Sequence, residues 1–230
     1  MTHERKQAFI ALCLLVPAPS IGTICAMWIP SLKGTLVGQS IYFLSKAWLL
    51  AFPLIWLKWV EKGQFSLSPV RKGGLGVGVW SGVLVGGCIF GTWLLLGQHW
   101  VDADFFKGQI NELGIGSIGR YLFLCTYLAL VNSLLEEYVW RWFVYRKCET
   151  LMGSVPAVLV SGFFFTIHHV FALFVYFDWR VTALASVGVF TGGVIWSWLY
   201  QRYRSIWPGY LSHIFADIAI FIIGWLMIFN

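Results

Sequence analysis

Glu136, Glu137 and Arg141 fall within six residues at the end of an apolar run, in the stretch Leu-Leu-Glu-Glu-Tyr-Val-Trp-Arg over 134–141. On insertion scales such groups cost roughly 2.5–3.5 kcal/mol each near the centre of a span, so their presence in a lipid-suited segment calls for a reason. Further along the chain His168 and His169 are adjacent, and His213 precedes Asp217 by four residues. Glutamate and histidine can take a proton from water and return it to a leaving group. An imidazole beside an acid can donate a hydrogen bond to a developing oxyanion. The same residue types, a Glu, two His and an Asp, could also ligate zinc.

Helical spacing sorts these groups. Glu137 and Arg141 are four apart and stack on one face, where each can neutralise the other as a structural ion pair. Glu136 lies about 100° round the helix from Glu137 and shares its face with Asn132. An acid with no built-in counterion is the better general base, which favours Glu136 for chemistry. His213 and Asp217 share a face in the same way, in a helix that begins near Pro208. If the Glu-bearing helix continues to Lys147, Glu136 is roughly 17 Å in from that end, and His169 is about 20 Å in from Pro156. The two reach one depth. Lys46, alone in another span, reads as a buried counterion or a snorkelling side chain.

The elements that must hold these side chains are membrane spans. The chain has 230 residues, of which 59% are hydrophobic and 11% charged, against about a quarter charged in a soluble domain. The fold class expected is all-α, a polytopic transmembrane helical bundle with an intramembrane site. Seven apolar stretches of spanning length run over 8–30, 35–57, 73–97, 119–145, 154–177, 180–200 and 206–229. They leave no room for a second soluble domain. One integrated membrane domain is expected, with helices lacking a motif in 1–118 and a motif-bearing core in 119–230.

Charge sets orientation and excludes classes. Arg5, Lys6, Lys58, Lys62, Arg71, Lys72, Arg146, Lys147, Arg202 and Arg204 fall in alternate connections, and the other loops hold fewer basic residues. The bias predicts a cytoplasmic N-terminus and an external C-terminus in a cell inner membrane. The net charge of +6 then reads as inner-leaflet anchoring, and no nucleic-acid-binding motif is present. Arg5-Lys6 ahead of an apolar run resembles a secretory signal, but apolar sequence resumes after Pro17-Ala18-Pro19-Ser20 and favours a retained, kinked first span. Five scattered cysteines indicate neither a disulfide framework nor a cysteine metal site. Gly74, Gly78, Gly82 and Gly86 form a four-residue ladder that favours close packing within the chain over homodimerisation. The segment 98–118, with Trp100, Phe105 and Phe106 among acids, is expected to lie on the outer membrane surface.

The three groupings resemble the motifs of the CPBP family of intramembrane proteases, which includes the CAAX prenyl endopeptidases and bacteriocin-processing relatives. The family pattern is Glu-Glu-x-x-x-Arg, Phe-x-x-x-His and His-x-x-x-Asn or His-x-x-x-Asp. Here it reads Glu136-Glu137-x-x-x-Arg141, Phe165-x-x-x-His169 and His213-x-x-x-Asp217. The resemblance covers about 119–229. Phe164 with His168 also satisfies the second motif, so His168 is the alternative catalytic histidine; the Ser161-Gly-Phe-Phe-Phe lead-in favours His169. The resemblance implies a glutamic-type peptidase without a metal, in which Glu136 and His169 activate water and His213 with Asp217 stabilises the oxyanion. Asp217 departs from the Asn form, and an ionised carboxylate cannot donate to an oxyanion. Orienting and charging His213 is the role expected of it. Its substrate would be a membrane-anchored or lipidated peptide or protein. A zinc peptidase, with His169, His213 and Glu136 as ligands and Asp217 as a further ligand or as orienter of one, is the metal alternative. A non-catalytic scaffold of the same fold and a proton-coupled transporter are the others, although no internal repeat supports a transporter.

Overall fold

The computed structural model describes residues 2–66 and 68–230. Apolar runs of this length satisfy their backbone polar groups only by closing into helices, since lipid offers no alternative partners. Among the described residues these are α1 His3–Met27, α2 Leu36–Trp59, α3 Leu75–Trp100, α4 Ala103–Glu112, α5 Ile118–Met152, α6 Ser154–Tyr176, α7 Trp179–Tyr203 and α8 Trp207–Phe229. All except α4 are long and apolar enough to cross a bilayer, so the chain is an integral membrane protein of seven candidate spans, as the hydropathy predicts.

Proline shapes the first span as expected. The regular helix His3–Leu15 gives way at Val16 to a second, Pro17–Met27, because Pro17 offers no N–H and starts a helix more readily than it continues one. Ala11 and Leu15 are fully buried, so this span is part of the main core. The segment 98–118 holds more structure than a surface loop. Asp102 accepts the Phe105 N–H at 2.9 Å and caps α4, whose Phe106 stacks on Phe177 at the end of α6, ring centroids 5.6 Å apart.

The centre of the bundle is α5. It is 35 residues long, about 50 Å at an α-helical rise, well beyond a hydrocarbon core of about 30 Å. Its far end carries Lys147, paired with Glu61, and Glu149, held bidentately by Arg204 at 2.6 and 2.8 Å. Two stretches of α5 are π-helical, 128–132 and 137–145, where the backbone bonds five residues on instead of four. The face arithmetic for a regular helix therefore stops at Glu137. The wider turn still leaves Glu136 and Glu137 on different sides, and residues 139–145 of the π stretch are buried on every side.

Three glycines of the ladder, Gly78, Gly82 and Gly86, join α3 to α8 within the chain, while Gly74 precedes α3 and faces Tyr203 of α7. Gly78 lies against the backbone of Pro208, a Cβ at Gly82 would come within 2.9 Å of Phe215 and Ser212, and one at Gly86 within 3.0 Å of the Phe215 carbonyl. Gly87 and Gly91 face open space, with nothing within 4 Å of where a Cβ would stand. The turn before α8 is pinned from below, where Ser205 donates to the Ser68 carbonyl at 2.7 Å and Ser68 accepts the Ile206 N–H at 3.1 Å. These contacts set the depth of His213. Gly82→Leu should therefore lower the detergent melting temperature and the recovered folded protein, by the order of 1–3 kcal/mol or more expected for overpacking. Gly87→Leu, on the open side of the same helix, should melt like wild type.

Candidate active site

Four helices converge on one buried polar cluster in a bundle otherwise filled with apolar side chains. From α5, Glu136 is held by Asn132, which donates Nδ2–H to its Oε1 at 3.0 Å across one helical turn. From α6 come His168 and His169, each offering a ring nitrogen such that these and a Glu136 oxygen all lie within 4.8 Å of one another. The expected meeting of Glu136 and His169 at one depth is what the packing delivers.

The two adjacent histidines have different surroundings. His169 Nδ1 is 2.8 Å from the Phe165 carbonyl. A carbonyl only accepts, so Nδ1 carries the proton, and in the neutral ring Nε2 is left with the lone pair a base needs. His168 is buried and lies flat on Trp140, rings 5.2 Å apart and 6° from parallel, with its Nδ1 unpartnered. His169 thus keeps a ring nitrogen free beside Glu136. His168 reads as a packing residue.

Glu137 has no solvent exposure and is shared. Its Oε1 lies 3.2 Å from Arg141 Nη1 and 3.1 Å from His213 Nδ1. Arg141, equally buried, packs its guanidinium over Phe165 and Trp196, 4.5 and 5.1 Å from their ring centroids. The other oxygen, Oε2, sits 2.5 Å from where a Cβ of Gly209 would be, so α8 can approach only because residue 209 is glycine. His213 stacks on Trp196 at 3.8 Å, and the indole Nε1 donates to Ser212 at 3.1 Å. On its other edge His213 Nε2 faces Glu136 at 3.6 Å.

Here the structure changes one reading. Asp217 lies 3.9 Å from His213 Nε2, beyond hydrogen-bonding distance, so it does not orient the ring. Glu137 does, through Nδ1. Asp217 Oδ2 is instead 2.6 Å from the Ser133 hydroxyl, which is also 2.9 Å from the Leu128 carbonyl in the first π stretch. Ser133 has one proton for these two acceptors. The trio expected as metal ligands changes too: the close three-residue cluster is Glu136, His168 and His169, and His213 and Asp217 are outside it.

Comparison with protein families gives the arrangement a context. Residues 117–219 match the family described as type II CAAX prenyl endopeptidase, Rce1-like. This segment is similar to that family. It contains all three motifs, with the expected set Glu136, His169, His213 and Asp217, and leaves the motif-free helices before residue 117 outside the match. No curated protein and no solved structure matches the chain.

Within the Rce1-like segment several supporting residues had no signal of their own in the sequence. Trp196 is one of 14 tryptophans, Ser133 one small residue in an apolar run, and Gly209 one of 24 glycines. A Gly directly after the Pro that opens α8 was the one available hint of a close approach.

Because Glu137 answers both Arg141 and His213, its loss strands charge in a dry site. Glu137→Gln and Arg141→Met should each lower stability by about 3–5 kcal/mol, read as a drop in melting temperature and folded yield. The double variant Glu137→Met/Arg141→Met, which removes both charges together, should recover much of that loss. A double variant as unstable as the sum of its parents would show that the pair is not the coupled unit described here.

Proposed function

We propose that the chain is a glutamic-type intramembrane endopeptidase that hydrolyses a peptide bond in a lipidated, CAAX-type substrate. The observation that carries this reading is the pairing of Glu136 with His169, whose proton is committed to the Phe165 carbonyl. Water held between them would lose a proton to Glu136 or to His169 Nε2 as its oxygen attacks the scissile carbonyl. The same proton would then pass to the leaving amine, so that one water is consumed and the C–N bond breaks.

His213 is the oxyanion donor in this scheme. Its Nδ1–H is directed at the Glu137–Arg141 pair, so Nε2 can donate only when the ring carries both protons. The carboxylates of Glu137, Glu136 and Asp217 lie 3.1, 3.6 and 3.9 Å from its ring nitrogens. An acid buried behind the ring positions the imidazole, and the indole of Trp196 fixes its plane. The distribution of Lys and Arg favours an N-terminus in the cytoplasm, in a cell inner membrane.

One observation favours a second reading. Glu136, His168 and His169 offer three donors at a spacing a zinc ion could draw together, and would supply a Lewis acid at the same place. His168 packs flat on Trp140 with its Nδ1 buried and unpartnered, so only Nε2 could serve as its ligand atom. The metal-free route is the one proposed, resting on the committed Nδ1 proton of His169.

Glu136→Gln should abolish cleavage of a farnesylated CAAX peptide in liposomes while the protein stays folded, since shape is kept and the base is lost. Exhaustive treatment of the wild type with a membrane-compatible zinc chelator should leave the rate unchanged. Chelator-sensitive activity restored by zinc would establish the metal route instead.

His213→Ala should cost on the order of 100-fold or more in kcat, as for other lost oxyanion donors. Asp217→Asn should keep substantial activity. The amide can donate to Ser133 Oγ, leaving the single Ser133 proton for Leu128, and Glu137 still orients the ring. An inactive but folded Asp217→Asn beside an active His213→Ala would reverse these roles.

A further inference from the structure

One charged side chain in the membrane interior has no place in the scheme so far. Lys46 lies in the middle of α2, among the described residues without a hydrogen bond or an ion pair. Its ammonium sits 5.5 Å from the centre of the Tyr42 ring, and the side chain is only partly buried. One turn further along α2, the Leu50 carbonyl accepts the Tyr138 hydroxyl at 3.2 Å. That bond ties α2 to the turn of α5 that carries Glu136. Lys46 accordingly acts electrostatically on Glu136, His168 and His169. An unpaired ammonium in an apolar bundle is costly, and groups of this kind face a cavity or a pathway.

We propose that Lys46 binds the C-terminal carboxylate of the substrate and so selects tails that end a few residues beyond the scissile bond. This rests on the proteolytic reading above. A free carboxylate entering the membrane interior needs a cation there, and a charge-assisted hydrogen bond to an ammonium meets that need. Glu136 already has Asn132 and His213 as partners, which leaves the Lys46 ammonium available. Three residues in extended form span about 10 Å, which lets one end of the tail lie at Glu136–His169 while the other meets a side chain on the neighbouring helix. Lys46 is thus a specificity-determining residue placed outside the motif-bearing segment.

The test compares two farnesylated peptides of one CAAX sequence in liposomes, one with a free C-terminal carboxylate and one with a carboxamide. Wild type should cleave the acid at least tenfold better in kcat/KM, mainly through KM. Lys46→Gln should lower kcat/KM for the acid to the level wild type shows with the amide, and Lys46→Arg should restore most of the preference. Equal cleavage of both peptides by wild type would overturn the carboxylate anchor alone. So would a Lys46→Gln variant that slows acid and amide by the same factor, since that is how a mere counterion of Glu136 would behave. A wild type that cleaves neither peptide would overturn the CAAX-peptidase reading and this inference with it.

Discussion

The carboxylate of Glu137 is the interaction on which the rest of the site depends. It lies where helices meet, in contact with Arg141 one turn along α5, the imidazole of His213 on α8, and the bare backbone of Gly209. A charge this deeply buried is stable only while its partners remain in place. The demand works in both directions. Arg141 and His213 cannot keep their positions without Glu137, and α8 cannot dock at this distance with any side chain at 209. One buried carboxylate therefore couples the closure of the bundle to the orientation of a proposed catalytic imidazole.

The backbone of α5 supports this arrangement. Its second π stretch begins at Glu137 and runs to Tyr145, and residues 139–145 within it are buried. A wider helical turn presents more of its circumference to neighbours, which suits a segment that contacts α2, α6 and α7 at once. Aromatic faces complete the packing: Trp140 under His168, Phe165 and Trp196 under Arg141, and Trp196 under His213. The polar groups are thus held between flat apolar surfaces that exclude bulk water, and that strengthens every electrostatic contact among them.

Division of labour among the carboxylates follows from what each one touches. Glu137 faces Arg141 and His213 and reads as a positioning group. Glu136 has an amide and the edge of an imidazole, and remains open toward His169. Asp217 shares a serine proton with a backbone carbonyl, so its link to His213 is one of charge and not of a hydrogen bond. The three acids share one site and have three environments, and their proposed roles differ for that reason.

Much of this was legible in the chain itself. Hydropathy determined seven spans because backbone polar groups in lipid leave no other solution, and spacing of four paired Glu137 with Arg141 and Asn132 with Glu136 through local helical geometry. The ordered motifs pointed to a shared site, and the glycine ladder to a tightly packed face. What only the tertiary structure decided involves residues far apart in sequence. Glu137, not Asp217, holds His213; Ser133, not His213, holds Asp217; and His169 differs from His168 through a carbonyl and an indole that spacing cannot rank. Such contacts depend on how α5, α6 and α8 are rotated and how closely they approach. That rotation depends on a π turn and on the close approach at Gly209, and neither leaves a periodic trace in the sequence.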